Sequence, residues 1–355
     1  MRKALTAKTA INATFWPGAL AVSAILFFAV YDNNNFSSQW VLFSLYLAIN
    51  LMWMLVIGTA GIYSFATIAI VGVSAYLVTY LAGGSTAGLD IASARSMNVV
   101  VMLVIAAAAG AVVGALVAAP AIRLRGVYFA LFTIGLVEVG RAIAVQQEVL
   151  GQNQGLYGAT TFKKTTEIGT PTGRNIDYFV GLALIVFCLI VYRLVDGGRL
   201  GLLLRTARES EPFARELGVG VVWARFAVFI ISSAVLGLVG GFYAASYGGV
   251  SPSIFSFDTL LLLLAMIVVG GLGSAKGALL GTALLLYIDF TYNESGAPRL
   301  IAIGIIMLAI TLGTTRGLVG LPAQLRGYWE RYRGRRGPPG EEPVPAEAEL
   351  EVPGL

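Results

Sequence analysis

Long uninterrupted runs of apolar residues alternate with short polar segments along this chain. Runs such as residues 40–57, 99–119, 179–192 and 300–312 carry no polar face of the kind that a surface helix or strand would show. Backbone amides inside a bilayer must be hydrogen-bonded within the protein, so apolar runs of this length are typical of lipid-immersed helices. The pattern therefore predicts a membrane protein.

Polar residues between the runs divide the chain into about ten candidate spans, each expected to need about 20 residues when upright. The predicted spans are residues 16–31, 39–58, 63–81, 98–118, 127–146, 177–195, 223–247, 258–272, 277–291 and 299–314. The spans at 16–31, 258–272 and 277–291 are short enough to tilt, break or re-enter the membrane. The predicted fold is an all-α polytopic membrane protein with about ten transmembrane helices.

The distribution of basic residues predicts the orientation. An even number of spans places both termini on one side, and most Lys and Arg residues fall on that side, which is typical of the cytoplasm. The basic residues on the opposite side are Arg95, Lys163, Lys164, Arg174 and Arg299. Both termini are therefore predicted to be cytoplasmic. The net charge of +5 is explained by topology, and no nucleic-acid partner is expected.

Composition supports the membrane assignment and sets the domain boundaries. Hydrophobic residues make up 57% of the chain and charged residues 12%, about half the charge of a soluble domain. We expect a cytoplasmic N-terminal segment (1–15), a transmembrane domain (16–320) and a cytoplasmic tail (321–355). An outer loop (148–176) and a cytoplasmic loop (196–222) are the longest connections within the transmembrane domain. From about residue 337 the tail is rich in Pro and Glu, a composition typical of disorder.

Catalytic chemistry has little support in the sequence. The chain contains no histidine, which excludes His-based acid/base catalysis and His metal ligands. The segment GGLGSAKG (270–277) lacks the Gly-Lys-Ser/Thr step of a phosphate loop and follows no predicted strand. We interpret it as a tight cytoplasmic turn in which glycines adopt positive φ. No catalytic residue, metal ligand or cofactor is expected in this chain, and an intramembrane enzyme is a poor alternative.

A charged pair lies inside the fifth predicted span. Glu138 and Arg141 are three residues apart, so they occupy neighbouring positions on one helix face, where a lone charge in lipid would cost several kcal/mol. They line a substrate path or form a structural ion pair near the outer interface, and the sequence supports both interpretations equally. Asn50 in the second span is a further candidate for the path.

A short charged helix is predicted within the cytoplasmic loop. Ser210 suits an N-cap, Glu211 and Arg215 form an i,i+4 pair, and Gly218 can end the helix in a left-handed conformation. The apolar contacts of this helix would come from Phe213, Ala214 and Leu217. The alternative is a linker that lies against the lipid headgroups.

Four segments resemble the LivM-type permease subunits of branched-chain amino acid ABC importers. They are GRLGLLLRTARESEPFARELG (198–218), ASYGGVSPSIFSF (245–257), VVGGLGS (268–274) and RLRGVYFA (123–130), the last followed by Glu138 and Arg141. The resemblance covers roughly residues 61–318 and is most specific in the second half.

The resemblance implies a non-catalytic permease of a bacterial inner (plasma) membrane importer. Its implied partners are a second permease, identical or different, two cytoplasmic subunits that bind ATP, and an extracytoplasmic solute-binding protein. The residues implied to contact the ATPases and couple them to transport are Arg208, Glu211, Phe213, Ala214, Arg215, Leu217 and Gly218. The expected substrate is a branched-chain or similar small neutral amino acid.

Two segments depart from the family pattern near the expected path. The family's Gly-Gln-Leu-Ser-like segment is GIYS here (61–64), which adds Tyr63 and Ser64 to the candidate path. The family's Thr-Gly-Gly-x-x-Gly-Leu loop is LGQNQGL (150–156). Urea, a short amide or another small polar solute is therefore an alternative substrate. A secondary transporter that uses Glu138 and Asp258 as ion-coupling carboxylates is a less favoured alternative.

Overall fold

The computed structural model describes residues 34–83, 98–121, 124, 126–159, 161–162, 170–209, 220–291, 297–314, 317–320 and 324. Four predicted features lie outside this part of the chain: the N-terminal segment (1–15), the first span (16–31), the short charged helix (211–217) and the tail from residue 325.

The described residues are largely helical. The α-helices in chain order are α1 Asn34–Met54, α2 Thr67–Leu81, α3 Val99–Ala121, α4 Val127–Gln146, α5 Pro171–Asp196, α6 Arg199–Glu209, α7 Val221–Tyr247, α8 Phe257–Gly270, α9 Ala275–Thr291 and α10 Ala297–Gly313. A π-helical turn, Leu55–Ala60, continues α1. Short 3₁₀ helices are Glu148–Leu150, Gln152–Gln154 and Pro252–Phe255, and two-residue strands are β1 Leu156–Tyr157 and β2 Gly249–Val250.

Five helices in the described part are long and apolar enough to cross a membrane: Ser37–Ala60, Val99–Pro120, Val127–Gln146, Thr172–Asp196 and Val221–Tyr247. Each predicted span from 39–58 onward coincides with a helix. At 14 residues, α8 is about 21 Å long and shorter than the hydrocarbon core of about 30 Å, as predicted for this span. The total of ten spans stays a prediction.

The centre of the molecule is formed by α1 and α7. In the membrane-length window of α1, 78% of residues are buried, against 22% in α3 and in α4. Helix α7 packs against α1, α2 and α3, and α1 also contacts α5 and α9. The outward faces of α3 and α4 are therefore the ones left for lipid or for a partner protein.

Closely spaced small residues hold α3 against α7. A Cβ added at Gly110 would lie 2.5 Å from the Cα of Gly237, and one added at Gly241 would lie 2.6 Å from the Cβ of Ala106. Larger side chains would force these two backbones apart. The Gly110/Gly114 and Gly237/Gly241 spacings thus serve packing within the chain.

Two connections predicted on the outer side pair with each other. Strands β1 and β2 are antiparallel, with Leu156 opposite Val250 and Tyr157 opposite Gly249. The amides of Gly158 and Ala159 both donate to the Gly248 carbonyl. We call the assembly of β1, β2 and the 3₁₀ helix Pro252–Phe255 the outer cap.

An aromatic side chain anchors the outer cap in the helices. Phe255 is 2% exposed and stacks on Tyr76 with ring centroids 5.9 Å apart. A Cβ added at Gly72 on α2 would lie 2.4 Å from this ring, and one added at Gly140 on α4 would lie 3.1 Å from it. The two glycines leave the space that Phe255 fills between α2 and α4.

The connections predicted on the cytoplasmic side also meet one another. Thr59 in the π-helical turn is hydrogen-bonded to Asp196 at the end of α5. A Cβ added at Gly58 would lie 3.2 Å from the Cα of Gly273, and one added at Gly317 would lie 2.7 Å from the Cα of Gly271. This grouping agrees with the predicted alternation of the spans, and the cytoplasmic position of the termini stays a prediction.

Candidate functional site

Asn50 lies in the middle of the helix bundle and is fully buried. Its side-chain amide donates to the Thr282 hydroxyl on α9 at 2.8 Å and to the Met266 sulfur on α8 at 3.4 Å. Among the residues that the structure describes, the buried side-chain carbonyl Oδ1 of Asn50 has no hydrogen-bond partner. The two hydrogen bonds from the Asn50 amide hold α1 against α8 and α9. Burying the unpaired Oδ1 acceptor carries a free-energy cost.

Tyr63 and Ser64 lie in the connection from the π-helical turn to α2. Ser64 is 2% exposed, whereas Tyr63 is half exposed. The Trp53 indole donates to the Ser64 carbonyl at 2.6 Å, and the Phe65 amide donates to the Thr133 hydroxyl at 2.9 Å. These bonds tie the connection to α1 and α4.

Glu138 and Arg141 lie on the outward face of α4. Their charged groups are 3.9 Å apart, and the side chains are 49% and 52% exposed, respectively. Glu138 falls near the middle of this 20-residue helix, where contact with lipid would be costly for a charged side chain. A partner protein or a water-filled path is the environment that suits this pair.

The contacts divide the predicted path residues among three places. Asn50 belongs to the interface of α1 with α8 and α9, and Ser64 to the connection between α1 and α2. Glu138 and Arg141 belong to the outward face of α4. The assignment of these residues to a path stays a prediction.

Helix α2 carries buried polar atoms that the sequence patterns did not single out. Thr67 Oγ1, Ser74 Oγ and Tyr76 Oη are buried without a hydrogen-bond partner in the described part of the chain. In the sequence these residues are visible as polar positions within an apolar span. Their spacing does not distinguish them from polar residues that only pack against other helices. They extend the set of candidate path residues.

A second cluster, absent from the sequence predictions, lies at the end of the helices that is predicted to face the cytoplasm. Asp196 accepts a hydrogen bond from the Thr59 hydroxyl at 2.9 Å and forms an ion pair with the Arg205 guanidinium on α6. The hydrogen bond with Asp196 raises the pKa of Arg205 above its ordinary value. We call Thr59, Asp196 and Arg205 the cytoplasmic junction.

The predicted ATPase-coupling residues lie mostly outside the described part of the chain. Arg208 lies in α6, a helix that the sequence patterns did not predict. The remaining residues, Glu211, Phe213, Ala214, Arg215, Leu217 and Gly218, fall in the segment 210–219, which the structure does not describe. The short charged helix predicted there stays a prediction.

The segment at 270–277 forms the predicted turn between α8 and α9. Gly271 has φ of 108° and Gly273 has φ of 95°, a backbone region that favours glycine. Among the described residues, no group of three or more His, Cys, Asp and Glu side chains could hold a metal ion.

Comparison with known proteins identifies the family. The family described as "Branched-chain amino acid transport system / permease component" matches residues 35–312. Two curated relatives, from Salmonella typhimurium and Escherichia coli, are each named "High-affinity branched-chain amino acid transport system permease protein LivM". Each is 29% identical to this chain over 239 residues.

The matched region covers 61% of this chain and 56% of each relative, so it spans about half the length of those proteins. No solved structure is significantly similar to the chain. The family match includes all five membrane-length helices and makes the protein a multi-pass membrane protein. The chain belongs to the family of permease components of branched-chain amino acid transport systems.

Proposed function

We propose that this chain is the membrane-spanning, non-catalytic subunit of a bacterial inner-membrane ABC importer that moves branched-chain or similar small neutral amino acids inward. The family match over residues 35–312 is the observation that carries the proposal. ATP is hydrolysed by separate cytoplasmic subunits. The residues that contact these subunits are Arg208, Glu211, Phe213, Ala214, Arg215, Leu217 and Gly218. A second permease completes the membrane part, and an extracytoplasmic binding protein delivers the substrate.

The charge pattern on α4 favours an amino acid as the substrate. A neutral amino acid is a zwitterion, so its ammonium group needs an acidic partner and its carboxylate a basic one. Glu138 and Arg141 present these two charges on one outward face, 3.9 Å apart. In this proposal the α4 face lines the path between the two permeases. Urea and short amides carry no ionic groups for such a pair to recognise.

Transport by the purified assembly tests the proposal. The chain is isolated in mild detergent with its co-purifying subunits, reconstituted in proteoliposomes, and supplied with binding protein, ATP and labelled leucine or labelled urea. We expect ATP-dependent uptake of leucine. Uptake of urea alone would support the alternative substrate, and ATP-independent, proton-driven uptake would support a secondary transporter.

The position of Asp258 gives the secondary transporter no added support. Asp258 lies in the first turn of α8 and is exposed. A carboxylate at a helix N-terminus is stabilised by the helix dipole, which accounts for this residue without ion coupling. The ABC importer is therefore the function that we propose.

A further inference from the structure

Asp196 joins three elements at the cytoplasmic end of the molecule. It is the last residue of α5, and its carboxylate accepts from Thr59 in the π-helical turn of α1 and from Arg205 on α6. The Asp196 side chain is 22% exposed, and that of Arg205 is 57% exposed. One carboxylate thus bridges a buried turn of the membrane bundle and a charged side chain on the surface.

The position of Asp196 is unfavourable without these partners. The C-terminus of a helix carries a partial negative charge, so a carboxylate there is repelled unless a cation or a donor offsets it. Thr59 is 1% exposed, and a buried hydroxyl without a partner is costly. Each group therefore satisfies the other, and Arg205 neutralises the charge.

Helix α6 is attached closely to this point. A Cβ added at Gly201 would lie 2.2 Å from the Asp196 carbonyl oxygen, so α6 begins directly against the end of α5. Leu204 and Ala207 on α6 are buried, and α6 contacts both the π-helical turn and α7. In the sequence α6 leads directly to residues 211–218, where we propose that the ATPase docks.

The π-helical turn connects α6 to the helices on its other side. The Gly273 amide, in the turn between α8 and α9, donates to the Met54 sulfur at 3.0 Å, and Gly58 lies against Gly273. Asn50, one helical turn before Met54, is bonded to Thr282 on α9. Short π-helical turns occur often at functional sites. A displacement of α6 can therefore reach α8 and α9 through α1.

From these contacts we infer that Asp196 is the positioning residue that transmits movement of the ATPase-facing segment through the Thr59 hydroxyl to α1, and from there to α8 and α9. The inference rests on the proposed function of the chain as an ATP-driven permease. Asp196 does not touch the substrate; it acts by keeping α6 and the π-helical turn in one unit.

The hydroxyl of Thr59 offers the most selective test. Thr59→Val keeps the shape of the side chain and removes the donor, whereas Thr59→Ser keeps the donor. In proteoliposomes with the complete importer, we expect Thr59→Val to lower the amount of leucine moved per ATP hydrolysed by about fivefold or more, the lower end of coupling between sites. Thr59→Ser should restore most of that ratio.

Thr79→Val is the matched control. Thr79 is also fully buried, but its hydroxyl donates to the Ala75 carbonyl of its own helix at 2.8 Å. This variant also loses a buried threonine hydroxyl donor, but without separating two elements, and we expect the ratio of transport to hydrolysis to be unchanged. An equal loss in Thr79→Val and Thr59→Val would contradict the inference.

A double variant tests whether Thr59 and Asp196 act as a unit. Asp196→Ala removes the acceptor, so alone it should lower the ratio at least as Thr59→Val does. In the Asp196→Ala background, adding Thr59→Val should cause no further loss, because the bridge is already broken. Independent, multiplying losses would overturn the inference. If Asp196→Ala does not assemble, Arg205→Ala decides, since this side chain is more than half exposed; an unchanged ratio in Arg205→Ala and in Thr59→Val would overturn the inference.

The two proposals fail in different ways. If the unaltered importer shows no ATP-dependent uptake of any amino acid, the proposed function is wrong. If the unaltered importer transports leucine and Thr59→Val matches it in leucine moved per ATP, the inference about Asp196 alone is wrong.

Discussion

The outer cap and the cytoplasmic junction close the two ends of the same helices by different means. The outer cap is held by backbone pairing between β1 and β2 and by the buried ring of Phe255. The cytoplasmic junction is held by the Asp196 carboxylate, with the Thr59 hydroxyl and the Arg205 guanidinium as donors. The first depends on close packing, and the second on a buried hydroxyl and a partly exposed ion pair.

This difference bears on which end can move during transport. Separating the outer cap would break several backbone hydrogen bonds and remove an aromatic ring from its site, which couples its opening to the stability of the fold. The cytoplasmic junction is held by fewer contacts, among them the partly exposed Asp196–Arg205 ion pair, and such pairs contribute little to stability. We therefore expect substitutions at the outer cap to affect stability most, and substitutions at the junction to affect transport most.

The largest loss of stability is expected for Phe255→Ala. Removing a buried Phe ring costs about 3 kcal/mol or more, and the space between Gly72 and Gly140 would be left empty. Thermal or denaturant unfolding of the chain in detergent measures this loss. The matched control is Phe257→Ala, two residues away and 44% exposed, which should cost much less. Equal losses in both variants would show that Phe255 does not anchor the outer cap.

Gly155→Ala is expected to destabilise the outer cap by a smaller amount. Gly155 has φ of 79° and ψ of −172°, a region that only glycine adopts readily and that costs other residues about 1–3 kcal/mol. A Cβ there would also lie 2.3 Å from the Val250 carbonyl oxygen. Gly135→Ala is the control in the same unfolding measurement, because nothing lies within 4 Å of its added Cβ. If Gly155→Ala were as stable as the unaltered protein, the outer cap would be able to accommodate the added Cβ.

The sequence predicted the helices better than the contacts that join them. The predicted span 127–146 has the bounds of α4, and the span 223–247 lies within α7, Val221–Tyr247. An apolar run ends where polar residues begin, so a local pattern is enough to locate such helices.

The contacts of the cytoplasmic junction had no comparable signal. Thr59 and Asp196 are separated by 137 residues, and neither stands out by spacing, since one ends an apolar span and the other begins a charged loop. The π-helical turn and α6 were also not predicted: Leu55–Ala60 continues an apolar run, and Arg199–Glu209 lies in a charged segment that was predicted as a loop. The candidate path residues were found as polar positions in apolar spans, and their three separate places in the fold depend on helix packing.

Gly58→Ala tests the cytoplasmic side with the same type of substitution as Gly155→Ala. The added Cβ would lie 3.2 Å from the Cα of Gly273, a contact that a small shift of the turn can relieve. Ala also favours helical backbone over Gly by about 0.5–1 kcal/mol, so the free energy of unfolding should change little. Leucine moved per ATP hydrolysed should nevertheless fall, because Gly58 lies where α1 meets the α8–α9 turn. A large loss of stability in Gly58→Ala would show that close packing is as important for stability at the cytoplasmic side as at the outer cap, which would contradict the comparison.

The smallest effect on stability is expected for the charge pair on α4, which belongs to neither end. Glu138 and Arg141 are about half exposed, and pairs of this kind contribute about 1 kcal/mol or less. Exchanging the two residues, Glu138→Arg with Arg141→Glu, keeps an i,i+3 ion pair and reverses the order of its charges along the helix. If the pair is only structural, leucine uptake and unfolding should both match the unaltered protein. If it orients the zwitterion, unfolding should be unchanged and the KM for leucine uptake should rise, because the ammonium and carboxylate groups would each face a like charge.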